Sequence, residues 1–388
     1  MKKNILIGIT SSISAYKIYE LIRKFRIKDY NVKVVLSENA KLFVSPLVIE
    51  TLTNSKVYFE QFEPRTDVQH IGLVEWADVF VIAPITANTI SKISNGIADN
   101  LLTSIACAYI GSNKPMIIAP AMNDNMWDNT IIQENIEKLK SKNIEIIEPE
   151  IGFLACGKNG KGRLAKIELI YHNTIRQLFQ NKENNNKKVV VTIGGTKEYI
   201  DNVRYITNAS SGKMGSALAI WAYYLGYQVS AITTIDIDLP IKIINANSAQ
   251  DMLDDLKKQD FNYLIMAAAI ADFRVENKAE NKISKEEIDK NLILNLIKNP
   301  DVVATIAQNK KDNQKIIGFC LTDKDLINCA KKKLENKNLD YIIANEINIA
   351  LNKNDNQVTI IDKSGKMIDI ERDTKENIAK KILEVVCD

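Results

Sequence analysis

Asn4-Ile5-Leu6-Ile7-Gly8-Ile9-Thr10-Ser11-Ser12 is a short apolar run that ends in small hydroxylated residues, and a helical pattern through Tyr16, Ile18, Leu21, Ile22 and Phe25 follows it. The same design returns at Val189-Val190-Val191-Thr192-Ile193-Gly194-Gly195-Thr196, and a second small-residue turn, Ser210-Ser211-Gly212-Lys213-Met214-Gly215, opens the next helical stretch. A strand buried on both faces of a parallel sheet reads as an apolar run. A Gly or Ser turn after it lets the backbone approach a phosphate at a helix N-terminus. Two such starts predict two sites.

Outward from the first start, 32–36, 79–83, 116–119 and 144–147 read as strands, with helices at 17–26, 88–94 and 128–142 between them. From the second, strands at 189–193, 229–234, 263–267, 316–320 and 341–344 alternate with helices at 214–225, 249–258, 302–309 and 326–337. A late hairpin follows over 357–362 and the turn Lys363-Ser364-Gly365-Lys366, before a closing helix at 375–386. The stretch 278–290 is polar and reads as a mobile loop. Such alternation predicts α/β architecture, with two doubly wound, Rossmann-like domains and functional loops at the strands' C-terminal ends. Lys182-Glu183-Asn184-Asn185-Asn186-Lys187-Lys188 contains no apolar residue, which places a linker at 182–188 between domains 1–181 and 189–388. A chain of 388 residues also exceeds what one core usually organises.

Charge and cysteine usage narrow the partners. Lys and Arg number 51 against 48 Asp and Glu, a formal charge of only +3, and the lysines are scattered among acids and asparagines, which disfavours nucleic acid. Cys107, Cys156, Cys320, Cys329 and Cys387 show no paired short spacing that suggests zinc or a disulfide framework, so a reducing cytoplasm is expected. Lys2-Lys3 before an apolar stretch imitates a signal peptide. Gly8, Thr10, Ser11 and Ser12 break that run, so it reads as a first strand, and no segment approaches a membrane span.

In the first half, His70 lies just before the strand at 79–83 and reads either as a capping or surface histidine or as a catalytic one. Thr86, Asn88 and Thr89 fall at a strand end and helix start, where hydroxyl, amide and backbone donors can hold a phosphate or a flavin edge. Asn123 follows the next strand and presents a carboxamide able to bond a carboxylate, with Met122, Met126 and Trp127 as apolar walls. The glycine-rich stretch from Gly152 to Arg163 carries Cys156, either an incidental thiol or one that moves a proton under a closed loop.

Gly8-Ile9-Thr10, His70 with Trp76-Ala77-Asp78, Ala83-Pro84 with Thr86-Ala87-Asn88-Thr89, Pro120-Ala121-Met122-Asn123 with Met126-Trp127, and Ala155-Cys156-Gly157 resemble the flavin-dependent cysteine decarboxylases of the phosphopantothenoylcysteine decarboxylase type. The match spans residues 1 to about 180 in order and spacing. The resemblance implies FMN, bound through Gly8, Thr10, Ser11, Ser12, Ser37, Thr86, Asn88, Thr89, Ala98 and Asp99. It implies that 4'-phosphopantothenoylcysteine becomes 4'-phosphopantetheine, because loss of carbon dioxide without an electron sink leaves an unstabilised carbanion. His70 would assist oxidation and decarboxylation, Asn123 would hold the carboxylate, and Cys156 would return a proton. Ser11 departs from a common glycine, although its hydroxyl can still bond a phosphate.

In the second half, Arg204 and Lys213 supply positive charge near the two small-residue turns. Gly194-Gly195-Thr196, Val203-Arg204, Asn208 with Ser210-Ser211-Gly212-Lys213-Met214-Gly215, Ala267-Ala268-Ala269 with Ala271-Asp272, Lys282, Asn299-Pro300-Asp301, Gly318-Phe319, Lys337 and Ala344-Asn345 resemble bacterial, CTP-using phosphopantothenate–cysteine ligases. Fusion in this order is the layout of the bacterial bifunctional enzymes. The resemblance implies attack of 4'-phosphopantothenate on CTP with Mg²⁺, then capture of the acyl-cytidylate by L-cysteine. Arg204 and Asn208 would hold the acyl intermediate and Lys282 would serve the cysteine step. Asp272, Lys282, Pro300, Asp301, Val302, Val303, Phe319, Lys333 and Lys337 would contact CTP, and no metal ligand is assigned. Ser284 and Cys320-Leu321-Thr322-Asp323 depart from the usual pattern. The resemblance further implies homo-oligomers, trimeric through the flavin domain and dimeric through the ligase domain. A flavin-binding regulatory protein without turnover is the alternative of a different class; a flavin prenyltransferase fits the second half poorly.

Overall fold

Strand β4 (Val79–Ile85) is buried at every position, as its unbroken apolar sequence requires. In the computed structural model it pairs with β1 (Asn4–Ile9) at the centre of a parallel sheet. The structure describes residues 2–62, 68–284, 291–346 and 353–387. Two compact units divide between Phe179 and Gln180. In the first, β2 (Asn31–Leu36) and β3 (Val57–Tyr58) continue the sheet beyond β1, while β5 (Met116–Pro120) and β6 (Glu145–Ile146) extend it beyond β4, giving the order β3-β2-β1-β4-β5-β6. The chain thus leaves β1 in one direction and returns to β4 in the other. Loops from β1 and β4 part at that reversal, and a crevice opens at the strands' carboxyl ends.

Helices follow from the periodicity, with differences that have local causes. Helix α1 (Ile18–Ile27) buries Ile18, Leu21, Ile22 and Phe25, the residues that the sequence aligns on one face. Each such side chain, taken out of water, contributes about 1.5–3 kcal/mol. Helix α2 (Pro46–Thr53), helix α3 (Gln69–Trp76) and helix α5 (Leu101–Ile110) lie outside the expected set, as does α8 (Ile167–Phe179), whereas α4 (Ala87–Ser94) matches it. The helix expected at 128–142 is α7 (Thr130–Lys140), and a separate short helix, α6 (Asp124–Trp127), precedes it. Asn123 and Asn129 each accept a backbone N–H two residues ahead, so each starts its own helix. The glycine-rich stretch is a hairpin of β7 (Glu150–Phe153) and β8 (Asn159–Arg163).

The second unit repeats the plan on a larger sheet. Strand β9 (Lys188–Ile193) pairs with β12 (Gln228–Thr233) and β14 (Tyr263–Met266), and β13 (Lys242–Asn245), β17 (Lys315–Thr322) and β18 (Tyr341–Glu346) complete the parallel part. The late hairpin, β19 (Asp355–Asp362) and β20 (Met367–Thr374), adds antiparallel strands to one edge. Two small hairpins project from the sheet, β10 (Lys197–Tyr199) with β11 (Tyr205–Thr207) and β15 (Phe273–Val275) with β16 (Leu296–Lys298). Helix α9 (Lys213–Tyr224) and the last helix (Lys375–Val386) pack on one face; α10 (Ala249–Lys257), α11 (Val302–Gln308) and α12 (Leu326–Asn336) cover the other. The 182–188 stretch is not an open tether. Lys182–Asn184 form a 3₁₀ turn, buried Asn184 donates to the Leu225 carbonyl, and Lys188 already belongs to β9. Its asparagines satisfy backbone groups, which is why a polar composition did not mean a free segment. Of the expected loop, 285–290 lie outside the described residues.

Candidate active sites

The first crevice is organised by Thr10. Its backbone N–H and its hydroxyl both donate to the Pro84 carbonyl, and the hydroxyl accepts from the Thr86 N–H at 3.0 Å, which ties the tip of β1 to the tip of β4. Thr10 is therefore committed inside the protein and does not offer its hydroxyl to a ligand, contrary to the expectation from sequence. Gly8 precedes it on β1. A Cβ there would press on Phe80, Ile82 and Leu102, so this glycine permits close core packing. The groups left for a ligand lie around them. Ser11 and Ser12 are half-buried at the turn, with Ser12 Oγ 3.0 Å from Ser14 Oγ. Thr86 starts α4 without a side-chain cap, and its hydroxyl stands 3.3 Å from that of Thr89. Asn88 is exposed on the same turn. Ser37, after β2, has a buried hydroxyl with no hydrogen-bond partner. Ala98 and Asp99 are exposed, and Asp99 pairs with Lys92 at 2.6 Å. That bond, with burial opposing it, lowers the Asp99 carboxyl from its ordinary value.

Asn123 and Cys156 meet. The Asn123 side-chain oxygen accepts from the Asn125 N–H, which leaves its NH₂ directed at Cys156 Sγ, 3.3 Å away. The β7–β8 hairpin makes this contact possible. Gly162 lies so close to Met122 that a Cβ would overlap the Met122 carbonyl oxygen, and the Met122 N–H donates to the Gly162 carbonyl at 3.0 Å. Glycine at 162 therefore seats the hairpin against the 122–123 turn, and the tip carries the exposed thiol to the carboxamide. His70 is on α3, half-buried, and no hydrogen bond or ion pair holds its side chain among the described residues. No contact joins it to Asn123 or Cys156 there. Gln69 beside it, which sequence reasoning missed, has both side-chain polar atoms buried without partners.

In the second unit, a cavity of about 760 Å³ opens beside the carboxyl ends of β9 and β14. Asn208, Asp272, Pro300, Asp301, Val302, Val303, Phe319, Lys333 and Lys337 all line it. Asn208 donates to the Ile270 carbonyl at 3.1 Å, which aims the carboxamide along the loop after β14. Asn299 fixes the next segment, since its backbone N–H donates to the Asp272 carbonyl and its side chain to the Ala271 carbonyl. Asp301 caps α11 through the Ala304 N–H and pairs with Lys337 at 3.0 Å. Burial opposes its ionisation, yet those two donors hold its carboxyl below the usual range. Lys333 donates to the Phe319 carbonyl at 2.7 Å, and burial together with neighbouring Lys337 pushes its ammonium below the ordinary lysine value.

Arg204 and Lys282 do not line this cavity. The Arg204 guanidinium donates to the fully buried carboxylate of Asp201 and to the Ile283 carbonyl, while the Ile283 N–H donates back to Asp201. Arg204 is thus occupied in a clamp that fixes the segment bearing exposed Lys282, rather than reaching a ligand within its own chain. A three-residue gap between Asp201 and Arg204 was the only sequence signal for the clamp; its third member is 82 residues away from Asp201. Asn345, Asn356 and Lys375 also line the cavity and had no role assigned from sequence.

Residues 1–179 match the family described as Flavoprotein, and 184–388 match the DNA/pantothenate metabolism flavoprotein C-terminal domain. The chain is 40% identical to the coenzyme A biosynthesis bifunctional protein CoaBC of Borreliella burgdorferi, over 99% of both chains. It is 35% identical to that of Bacillus subtilis, over 99% of this chain and 96% of the relative. Among solved structures, a PPC decarboxylase mutant complexed with pantothenoylaminoethenethiol is 34% identical, with a TM-score of 0.42, covering 45% of this chain and 96% of that one. Both units and their order are accounted for along almost the whole length, and the chain belongs to the family of coenzyme A biosynthesis bifunctional proteins CoaBC, pairing a flavoprotein-type decarboxylase with a ligase.

Proposed function

We propose that the second unit joins 4'-phosphopantothenate to L-cysteine using CTP, and that the first unit decarboxylates the product, 4'-phosphopantothenoylcysteine, with FMN. The meeting of Asn123 and Cys156 supports this reading, because a carboxamide NH₂ and a thiol stand side by side after a strand end. FMN, when bound, supplies the two-electron sink and source that makes loss of carbon dioxide accessible. The unpartnered Ser37 hydroxyl, the uncapped start of α4 at Thr86 and the Ser11–Ser12 turn fit its phosphate and polar edges. Asn123 holds the substrate carboxylate through its NH₂, and Cys156 delivers a proton to the product carbon. His70 works on the same substrate from a second copy of the chain, since its own chain gives it no contact with the pair. Apolar side chains left in water on the first unit, among them Ile13, Tyr16, Leu42, Leu47 and Val68, support that self-association.

In the ligase unit, Asn208 orients the acyl group, and Asp301, Phe319, Lys333 and Lys337 receive CTP. Lys282, held out by the Asp201–Arg204 clamp, serves the cysteine step. Among the described residues no cluster of three His, Cys, Asp or Glu side chains forms a metal site. Mg²⁺ enters with the polyphosphate in this reading, and the carboxylates that line the cavity are those of Asp272 and of Asp301, which is paired with Lys337. No helix among the described residues is long and apolar enough to cross a membrane. Purified protein should be yellow, and CTP, L-cysteine and 4'-phosphopantothenate together should release pyrophosphate and carbon dioxide. Colour with neither product would overturn the proposal.

A further inference from the structure

The carboxyl end of β18 and the start of β19 bring two half-matched asparagines to the ligase cavity. Asn356 is 1% exposed; its oxygen accepts from the Gln357 N–H at 2.9 Å, and its NH₂ is buried without a hydrogen-bond partner among the described residues. Asn345 is 8% exposed, and its amide oxygen is buried without a donor among the same residues. Both side chains line the cavity. Strand pairing sets them on one face. Ile343, Val358 and Ile360 pack in the core that α9 and the last helix cover, whereas Ile342, Ala344 and Ile361 pack in the opposite one. Alternation along each strand therefore turns Asn345, with Ile343, and Asn356, with Val358, toward the same side. The strands are antiparallel with Ala344 opposite Thr359, so Asn345 comes opposite Val358. Asn356 then lies one diagonal step beyond, about 7–8 Å away between Cα atoms.

The two amides do not satisfy each other, since one lacks an acceptor and the other a donor. A buried polar group left unmatched costs stability unless a ligand completes it. The missing partner has to accept from Asn356 and donate to Asn345. A phosphate or an ionised carboxylate only accepts, and its charge would face the Asn345 oxygen; an ammonium only donates. An alcohol hydroxyl, like water, does both through one atom. Charged side chains at this edge have partners of their own: Asp355 forms a two-pronged pair with Arg372, and Lys213 donates to the Asn354 side chain at 2.8 Å.

We propose that Asn345 and Asn356 form a hydroxyl-recognition pair that makes the ligase unit selective for a substrate alcohol, which accepts from the Asn356 NH₂ and donates to the Asn345 oxygen. The proposal deepens the ligase reading and rests on it for the ligands that carry such a group. 4'-Phosphopantothenate has one secondary alcohol, beside its amide carbonyl, and CTP has the ribose 2' and 3' hydroxyls; L-cysteine has none. A site that bonds a hydroxyl with buried groups rejects the analogue lacking it, because those groups are then left unmatched.

Calorimetric titration of the full-length protein with matched ligands tests this. The pairs are 4'-phosphopantothenate against its analogue with hydrogen in place of the hydroxyl, and CTP against 2'-deoxy-CTP and 3'-deoxy-CTP. The unmodified protein should bind the hydroxylated member of one pair about tenfold or more tightly, and that pair identifies the source of the alcohol. In Asn345→Leu and Asn356→Leu the preference should vanish, through weaker binding of the hydroxylated ligand while the deoxy analogue binds as before. A distorted cavity would instead weaken both members alike, and folded variants that keep the preference overturn the pair. An unmodified protein that binds every deoxy analogue as tightly as its parent overturns it without recourse to variants and leaves the two amides to water. Thermal unfolding identifies any variant that has lost its fold. A protein that shows the preference but releases no pyrophosphate from CTP overturns the ligase reading and leaves the hydroxyl pair standing.

Discussion

The Asn123 NH₂ points at the Cys156 sulfur from 3.3 Å while its oxygen is held by the Asn125 N–H. The carboxamide is therefore fixed in one orientation, donors outward, before any substrate arrives. A carboxylate that enters between these residues meets a donor on one side and an exchangeable proton on the other, and no reorganisation of the turn is needed. Cys156→Ser should lower the rate of 4'-phosphopantetheine formation by about 10²-fold or more, the usual size of a lost proton donor. Asn123→Leu should instead raise KM for 4'-phosphopantothenoylcysteine. Carbon dioxide release and product formation, measured separately, check both; an unchanged product rate in Cys156→Ser would remove the thiol from the mechanism.

Gly162→Ala tests how the contact is positioned. The added methyl overlaps the Met122 carbonyl, so the hairpin must lift away from the 122–123 turn. Overpacking of this kind costs about 1–3 kcal/mol. Decarboxylation should fall by up to about 10²-fold, the loss that a misplacement of about 1 Å between the thiol and the carboxamide produces, whereas flavin absorbance and the ligase rate should stay near those of the unmodified protein.

Thr10→Val keeps the shape at the crevice and removes the hydroxyl between the Pro84 carbonyl and the Thr86 N–H. The Thr86 N–H then loses its acceptor, while the Pro84 carbonyl keeps the Thr10 backbone N–H, which should destabilise the first unit by about 1–3 kcal/mol. Flavin affinity should fall with it, because the loop that starts α4 loses one of its ties to β1. Denaturant unfolding with flavin fluorescence as the probe reads both effects.

Asp201→Asn should free the Lys282 segment and lower the ligase kcat more than it changes KM for CTP, since the clamp lies outside the cavity lining. The sign of its pH dependence follows from the carboxylate. Burial opposes ionisation, but the N–H groups of Arg204, Val203 and Ile283 and the Arg204 side chain outweigh it and hold the Asp201 carboxyl below the usual range. Its stabilising effect is thus fully present above the unfolded aspartate value of about 3.9 and is lost as pH falls toward the lower folded value. The stability gap between the unmodified protein and Asp201→Asn should stay constant from neutral pH to about pH 5 and narrow in stronger acid. Thermal unfolding across that range checks it; a gap that narrowed near neutrality would contradict the clamp.

Lys337→Gln separates binding from stability. The Asp301–Lys337 pair is partly exposed, so breaking it should cost at most about 1 kcal/mol of fold stability. Asp301 keeps its hydrogen bond to the Ala304 N–H and still caps α11. KM for CTP should nevertheless rise about tenfold, the loss expected for a charge-assisted contact to a phosphate, as pyrophosphate release at varied CTP measures.

The sequence by itself determined the repeated architecture and most of the ligase cavity. Buried parallel strands need unbroken apolar runs, and the turns after them need small or hydroxylated residues, so Asn4–Ile9 and Lys188–Ile193 announce themselves. Asn208, Asp272, Asp301, Phe319 and Lys337 stand next to such strand ends in the chain and share one cavity in space. Tertiary structure alone decided which residues point inward and which are already spent. Thr10 and Gly8 belong to strand pattern and glycine-rich turn alike, and only their neighbours on β4 show that one is bonded internally and the other packs on the core. Arg204 carries a charge that any sequence reading would offer to a substrate, yet Asp201 and a carbonyl 79 residues away absorb it. The Asn123–Cys156 contact likewise depends on a pairing 33 residues apart. Periodicity reports the face a residue occupies, but a hydrogen bond is decided by ångström-scale distances between segments that the chain brings together only when it folds.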